Sequence, residues 1–206
     1  VDITERKQQE TALESLHSAT QDLLSIETES AVAQRVVETA SDILSPAVAL
    51  YRFDPDANAL EPTAFTEPFE ALAGTVPSVS AEHSDSPLWN CFVTGTFTTF
   101  EGGDEGADEC VPGVDADSGL LVPVGDHGVF VVAADEPVDS GDERRLAETL
   151  AATTEAAFGR LEREANLRER ERELATRNQQ LERRMRITDI IRGIDQSIIA
   201  AESREE

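Results

Sequence analysis

Lysine occurs once in 206 residues, at Lys7, and cysteine twice, at Cys91 and Cys110. Neither cysteine has a Cys-x-x-Cys neighbour, so the chain has no disulfide framework. His17, His83 and His127 are isolated and none stands at ligand spacing from another His or Cys, so no metal site is expected. There is no Ser-His-Asp set, phosphate loop or carboxylate pair in a catalytic context. No apolar run approaches the roughly 18 residues that a membrane helix needs, and no signal peptide is visible. These absences predict a non-enzymatic cytoplasmic segment with no metal and no indicated cofactor. Proline is missing from Asp142 to Ala201, where only Gly159 and Gly193 occur. Such a stretch predicts one helix, or two nearly continuous ones, on the order of 90 Å long at 1.5 Å per residue. A domain of this size cannot bury that length, so the helix is expected to act as a connector.

Acid dominates what is present. Asp and Glu number 42 against 17 Lys and Arg, a net charge of −25. Self-repulsion of that size destabilises a compact state in ordinary salt. The apolar fraction of 39% and clear periodicity argue against a disordered acidic chain. A surface adapted to concentrated salt, where the Debye length shrinks to a few Å, fits better, as does the use of Arg in place of Lys. The same charge argues against binding of nucleic acid or a membrane surface. The start at Val1 suggests a piece of something longer.

Along the chain, Leu13, Leu16, Leu23 and Leu24 recur at helical spacing. Thr28 and Ser30 break that helix and cap a second one, which carries Val32, Val36, Val37, Ala40, Ile43 and Leu44 and stops before Pro46. The period then becomes two. Ala47–Phe53 reads as a strand, a turn follows at 54–58, and Leu60–Phe65 returns. Residues 66–85 read as loop. Leu88, Trp89, Phe92 and Val93 mark a short amphipathic helix ending at Gly95, with a β-prone segment at Thr96–Phe100 and an acidic loop at 101–117. The clearest hairpin joins Leu120–Val124 to Val129–Ala134 through Gly125-Asp126-His127-Gly128, and both arms are apolar enough to be central strands. Asp139, Ser140 and Asp142 are placed to cap the last helix, with Leu146, Leu150, Thr153, Ala157 and Leu161 toward the core. Residues 191–199 echo 16–24, as if a second copy of the fold were beginning.

This order of elements resembles a GAF domain. The residues that carry the resemblance are Ser118-Gly119-Leu120-Leu121-Val122-Pro123-Val124, then Gly128–Ala134, then Asp142-Glu143-Arg144-Arg145-Leu146-Ala147-Glu148. It implies an α+β fold: a central antiparallel sheet packed with N- and C-terminal helices, followed by a long coiled-coil-like helix. Asp2-Ile3-Thr4-Glu5-Arg6-Lys7 resembles the end of a PAS domain. The Arg/Glu-rich run with 186–196 resembles the linker before a further GAF-like domain in haloarchaeal bacterio-opsin-activator-type regulators, which end in a helix-turn-helix. The expected domains are therefore 1–10, the end of a PAS domain or linker; 11–162, the GAF domain; 163–186, a charged helical linker; and 187–206, the start of a following GAF-like domain.

The family's ligand chemistry is thinly represented. Of a cyclic-nucleotide constellation, only Val138 and Asp142-Glu143 have counterparts, and acids in a first helical turn are expected anyway. The context of Cys91 does not match a bilin site, and a small buried hydrophobe fits it better. Cys110 stands among acids that would raise its pKa. Leu50, Trp89, Cys91, Phe92, Leu121 and Phe130 are the candidate core or pocket-wall residues for an unknown small ligand. Beyond the domain, Leu167, Leu174 and Leu181 can occupy d positions, with Glu164, Glu171, Asn178 and Met185 at a. Asn178 at a favours a parallel homodimer in register. The expected function is a sensory or relay module of a cytoplasmic transcriptional regulator that signals through dimeric flanking helices. Its alternatives are a ligand-free dimerisation spacer and a methionine-sulfoxide reductase of the same fold, although Cys91 and Cys110 do not reproduce that enzyme's spacing.

Overall fold

The computed structural model describes residues 23, 25–83, 86–101, 111, 114, 116, 118–134 and 141–202, with side chains through Arg186 except those of residues 83 and 101. The expectations for 1–22, for Cys110 and Val138, and for the echo at 191–199 lie outside the described residues or side chains. The chain divides into two units, 1–161 and 162–206.

The first unit is built on a six-stranded antiparallel sheet, with α1 (Glu29–Ile43) and then β1 (Ala47–Asp54), β2 (Ala59–Phe65), α2 (Glu67–Ala73) and β3 (Val79–Ser80) leading into it. After them come α3 (Pro87–Thr94), β4 (Thr98–Glu101), β5 (Ser118–Pro123), β6 (Gly128–Ala134) and the helix α4 (Gly141–Glu202). The strand order is β3-β2-β1-β6-β5-β4, which places β1 and β6 at the centre and β5 beside β6, one strand in from the edge. The register of β1 and β6 sets Leu50 opposite Phe130 and Tyr51 opposite Val129. Gly128 makes that pairing possible: a Cβ there would lie 1.9 Å from the Tyr51 carbonyl oxygen, and the residue sits at φ +154°.

Each face of the sheet has its own core, because successive strand residues point to opposite sides. One face packs Val48, Leu50, Leu120, Val122, Phe130 and Val132 against α1 and the start of α4. Thr28 starts α1, its Oγ1 accepting from the Ala31 amide at 3.4 Å. Val32, Val36, Val37 and Ala40 face inward from α1. From α4 come Ala147, Leu150, Ala151, Ala157, Phe158 and Leu161, while Leu146 is half-buried beside them. The opposite face packs against α2 and α3.

Residues 66–85 are more ordered than their composition suggests. Thr66 caps α2, its Oγ1 accepting from the Phe69 amide, Pro68 sits in the first turn, and Gly74 closes the helix at φ +62°. Pro68 and Gly74 read as loop residues only until their positions are known. A proline is compatible with a first turn, and a glycine is favoured just beyond a last one. Phe69 is the fully buried anchor.

Candidate ligand-binding face

Strand β1 connects the two cores residue by residue. Val48, Leu50 and Arg52 belong to the α1/α4 side, and Ala47, Ala49, Tyr51 and Phe53 to the α2/α3 side. The six candidate residues therefore do not meet in one place. Leu50 and Phe130 lie in the core beneath α1 and α4. Trp89, Cys91 and Leu121 lie in the core beneath α3, with Phe92 half-buried against it. The period of two that identifies the strand also separates Leu50 from Tyr51.

The α3 side is where chemistry is concentrated. Pro87 begins α3, Gly95 ends it, and the helix turns Leu88, Trp89 and Cys91 onto the sheet. Trp89, Phe92 and Phe53 form an aromatic cluster with ring centroids 4.8 Å apart for Phe53–Phe92, 5.8 Å for Trp89–Phe92 and 6.2 Å for Phe53–Trp89. In the same core, Tyr51 is fully buried and its Oη has no hydrogen-bond partner among the described residues. Leaving a hydroxyl unbonded in a core costs about 1–3 kcal/mol, so native cores seldom contain one without a reason. Burial also raises the Tyr51 pKa above that of an ordinary phenol. Cys91 shares this core, and burial pushes its thiol up to about 12. Sequence reading placed Tyr51 in a strand but did not single it out. A lone tyrosine on the opposite side from Leu50 was the available signal.

On the α1/α4 side, Arg52 lies over the Phe158 ring at 5.1 Å and pairs with Glu29. His127 approaches the same ring, with centroids 5.6 Å apart. An open groove of about 380 Å³ lies nearby, lined by Thr96, Phe97, Val122, Arg144, Glu148 and Glu155. It holds a cation of its own: Arg144 lies 4.3 Å from the Phe97 ring centroid, and its Nε donates to Glu148 at 2.9 Å. Asp142 and Glu143 lie in the first turn of α4, where acids complement the helix dipole. No group of three or more His, Cys, Asp or Glu among the described residues is arranged to hold a metal. No helix of the described residues is long and apolar enough to cross a membrane.

In the second unit Leu167, Leu174, Leu181 and Met185 are 58, 59, 56 and 68% exposed. Asn178 is exposed with them.

No protein-family model matches the sequence, and no curated protein matches it either. Solved structures do match its fold. The chain is similar to the GAF domain of an Acinetobacter phosphoenolpyruvate-protein phosphotransferase, at 17% identity and a TM-score of 0.61, covering 78% of this chain and 95% of that one. It is similar to the GAF domain of a putative sensor histidine kinase from Pseudomonas syringae pv. tomato, at 16% identity and a TM-score of 0.53, covering 81% and 97%. It is also similar to free methionine-R-sulfoxide reductase from Neisseria meningitidis, solved with its substrate, at 16% identity and a TM-score of 0.61, covering 75% and 91%. The fold is GAF-like and α+β, as the hairpin residues imply. Two of the matching structures are named as the GAF domain of a putative sensor histidine kinase and as a putative GAF sensor protein.

Proposed function

We propose that this chain is a non-enzymatic GAF-type sensory and relay module of a cytoplasmic regulator, which takes a small ligand between its sheet and α3. The observation that carries this reading is the unpartnered Tyr51 Oη, buried in the core that also holds Trp89 and has Phe53 and Phe92 packed against it. A ligand with one hydrogen-bonding group among apolar atoms would satisfy that hydroxyl and retain the apolar contacts of the face. Signal transmission would use the flanking helices of a parallel homodimer, because a ligand shifts only an equilibrium whose two states it binds differently. The resemblances at 2–7 and 186–196 support a parent protein with PAS and GAF-like neighbours, of the haloarchaeal bacterio-opsin-activator type.

Cys91 is placed as a core residue rather than as a nucleophile. The reactive form of cysteine is the thiolate, and a buried Cys91 with a pKa near 12 holds its proton at neutral pH. The test is native mass spectrometry of protein purified without denaturant, with Tyr51→Phe beside it. The expected result is a stoichiometric small molecule in the native chain that is depleted in the variant. Repeated absence of any bound molecule from the native chain would leave the spacer reading in its place. Methionine-sulfoxide turnover that disappears when Cys91 and Cys110 are replaced would overturn the non-enzymatic assignment.

A further inference from the structure

We infer that the open groove between the start of α4, the segment entering β4 and the end of β5 is a second binding site, for a small organic monocation with an aliphatic body. The site is independent of the ligand reading above. It lies on the α1/α4 side of the sheet with Val122 and Phe97, whereas Tyr51 and Trp89 lie on the other. One face of α4 makes the wall. Arg144, Glu148, Ala152 and Glu155 follow one another at intervals of four, four and three, and all of them line the groove. The floor is apolar, made by Phe97, Val122 and Pro123. The groove's volume of about 380 Å³ falls in the range of small-molecule clefts, roughly 300–1,000 Å³.

The charges of the wall do not balance. Arg144 is already engaged, its Nε donating to Glu148 at 2.9 Å and its guanidinium carbon standing 4.3 Å from the Phe97 ring centroid. That pair leaves the groove with the charge of Glu155, which makes no hydrogen bond or ion pair among the described residues. The Glu155 carboxylate is laid against the β5–β6 turn at Gly125, where a Cβ would fall 2.5 Å from Oε1. A side chain at 125 would displace that carboxylate, so the glycine keeps this end of the groove clear. Ala152 does the same between the two glutamates, which stand about 10 Å apart along the helix axis. These features define the ligand. An ammonium group meets Glu155, and a short hydrocarbon body covers Val122 and Pro123 beside the Phe97 ring. A carboxylate in that place would face the like charge of Glu155, while the one cation of the wall is held by Glu148. A neutral molecule would cover the floor and leave Glu155 without a partner. An inorganic cation would meet Glu155 and leave the apolar floor bare. The net charge of −25 adds a general attraction for cations.

The test uses the full chain, isotope-labelled for amide NMR, with butylammonium chloride replacing sodium chloride at constant ionic strength. Ammonium chloride, sodium butyrate and butanol are titrated in parallel. Saturable shifts confined to the amides around Phe97, Val122, Gly125 and Glu155 are expected with butylammonium, and not with the other three. Equal saturation by ammonium chloride would show that the hydrocarbon body plays no part and would overturn the ligand class. Saturation by butyrate or butanol would overturn the role of charge. Shifts spread over the whole acidic chain that rise without saturating would remove the site. Glu155→Gln should weaken butylammonium binding by about threefold, the size of an exposed ion pair. Ala152→Leu, at an exposed helical position that favours leucine, should abolish binding by filling the groove while the domain stays folded. Unchanged binding in either variant would overturn the site. Tyr51→Phe should leave the titration as it is, so failure of the α3-side ligand and failure of this site are read separately.

Discussion

Leu150 and Leu174 stand on the same helix, yet Leu150 is 1% exposed and Leu174 59%. Between 141 and 161 the buried positions Ala147, Leu150, Ala151, Thr154, Ala157, Phe158 and Leu161 recur at intervals of three and four. That spacing makes an apolar face broad enough to cover a sheet and a neighbouring helix. Between 162 and 186 one leucine recurs per heptad, a stripe suited to a single partner helix. Charge divides at the same place. Residues 1–161 hold thirty-one Asp and Glu against seven Lys and Arg, whereas 162–186 hold six Glu against eight Arg. The acid excess lies in residues 1–161, and 162–186 is close to balanced. Periodicity and charge thus change together where the helix changes its task.

Truncating a leucine in each region sharpens this contrast and gives the largest effect. Leu150→Ala removes a packed side chain from the core beneath α1 and α4 and should lower unfolding stability by about 2–5 kcal/mol. Leu174→Ala should leave the unfolding stability of the domain within about 0.5 kcal/mol of native, since Leu174 belongs to neither core. Its effect should appear in sedimentation instead. Equal losses of domain stability would break the distinction between the two regions.

The second effect concerns pH and belongs to the domain alone. Burial holds the Cys91 pKa near 12 against an unfolded value of 9.0. The folded state therefore keeps a proton that the unfolded state releases. The stability contribution is fully present below pH 9 and is lost as pH rises toward 12. Across that window the slope approaches about 1.4 kcal/mol per pH unit for one group. Tyr51, shifted in the same direction from 10.0, adds to the loss in the upper part of the range. Denaturant titrations from pH 8 to 11 should show the decline, and Cys91→Ala should flatten its lower part. An unchanged slope in that variant would show that Cys91 is not shielded by the core as described.

The outline of the fold was open to reading because its signals are long. The β5–β6 hairpin has two continuous apolar arms around a glycine turn, and α4 contains no proline. The short elements were harder. Helix α2 has two turns, too few for a periodic pattern, and its Pro68 and Gly74 carry the same letters in a loop as at helix ends. The candidate site was harder again, because it depends on which side of the sheet each residue faces. Size and hydrophobicity nominated Leu50 and Phe130 together with Trp89 and Phe92, but alternation along the strands puts the two pairs in separate cores. Tyr51 stands out only once its hydroxyl is seen to lack a partner.

The smallest effect compares an ion pair in each region. Arg52 lies over Phe158 and pairs with Glu29, the two side chains being 28% and 42% exposed, and its Nε is buried without a partner. Arg168 and Glu164 pair at 3.3 Å with side chains 61% and 37% exposed. Glu29→Gln leaves the Arg52 charge half-buried and uncompensated, and should cost about 1 kcal/mol, a figure kept low because Glu29 is well solvated. Arg52→Met keeps a stem of similar length on Phe158 and also removes the unbonded Nε, so it should cost less than Glu29→Gln. Glu164→Gln should cost about 0.3–0.5 kcal/mol of helix stability, in keeping with exposed pairs four residues apart. Thermal unfolding of the domain ranks the Glu29 and Arg52 variants, and the loss of helical circular dichroism on heating reads the Glu164 variant. A larger loss for Arg52→Met than for Glu29→Gln would show that the guanidinium is worth more to the link between β1, α1 and α4 than its desolvation costs.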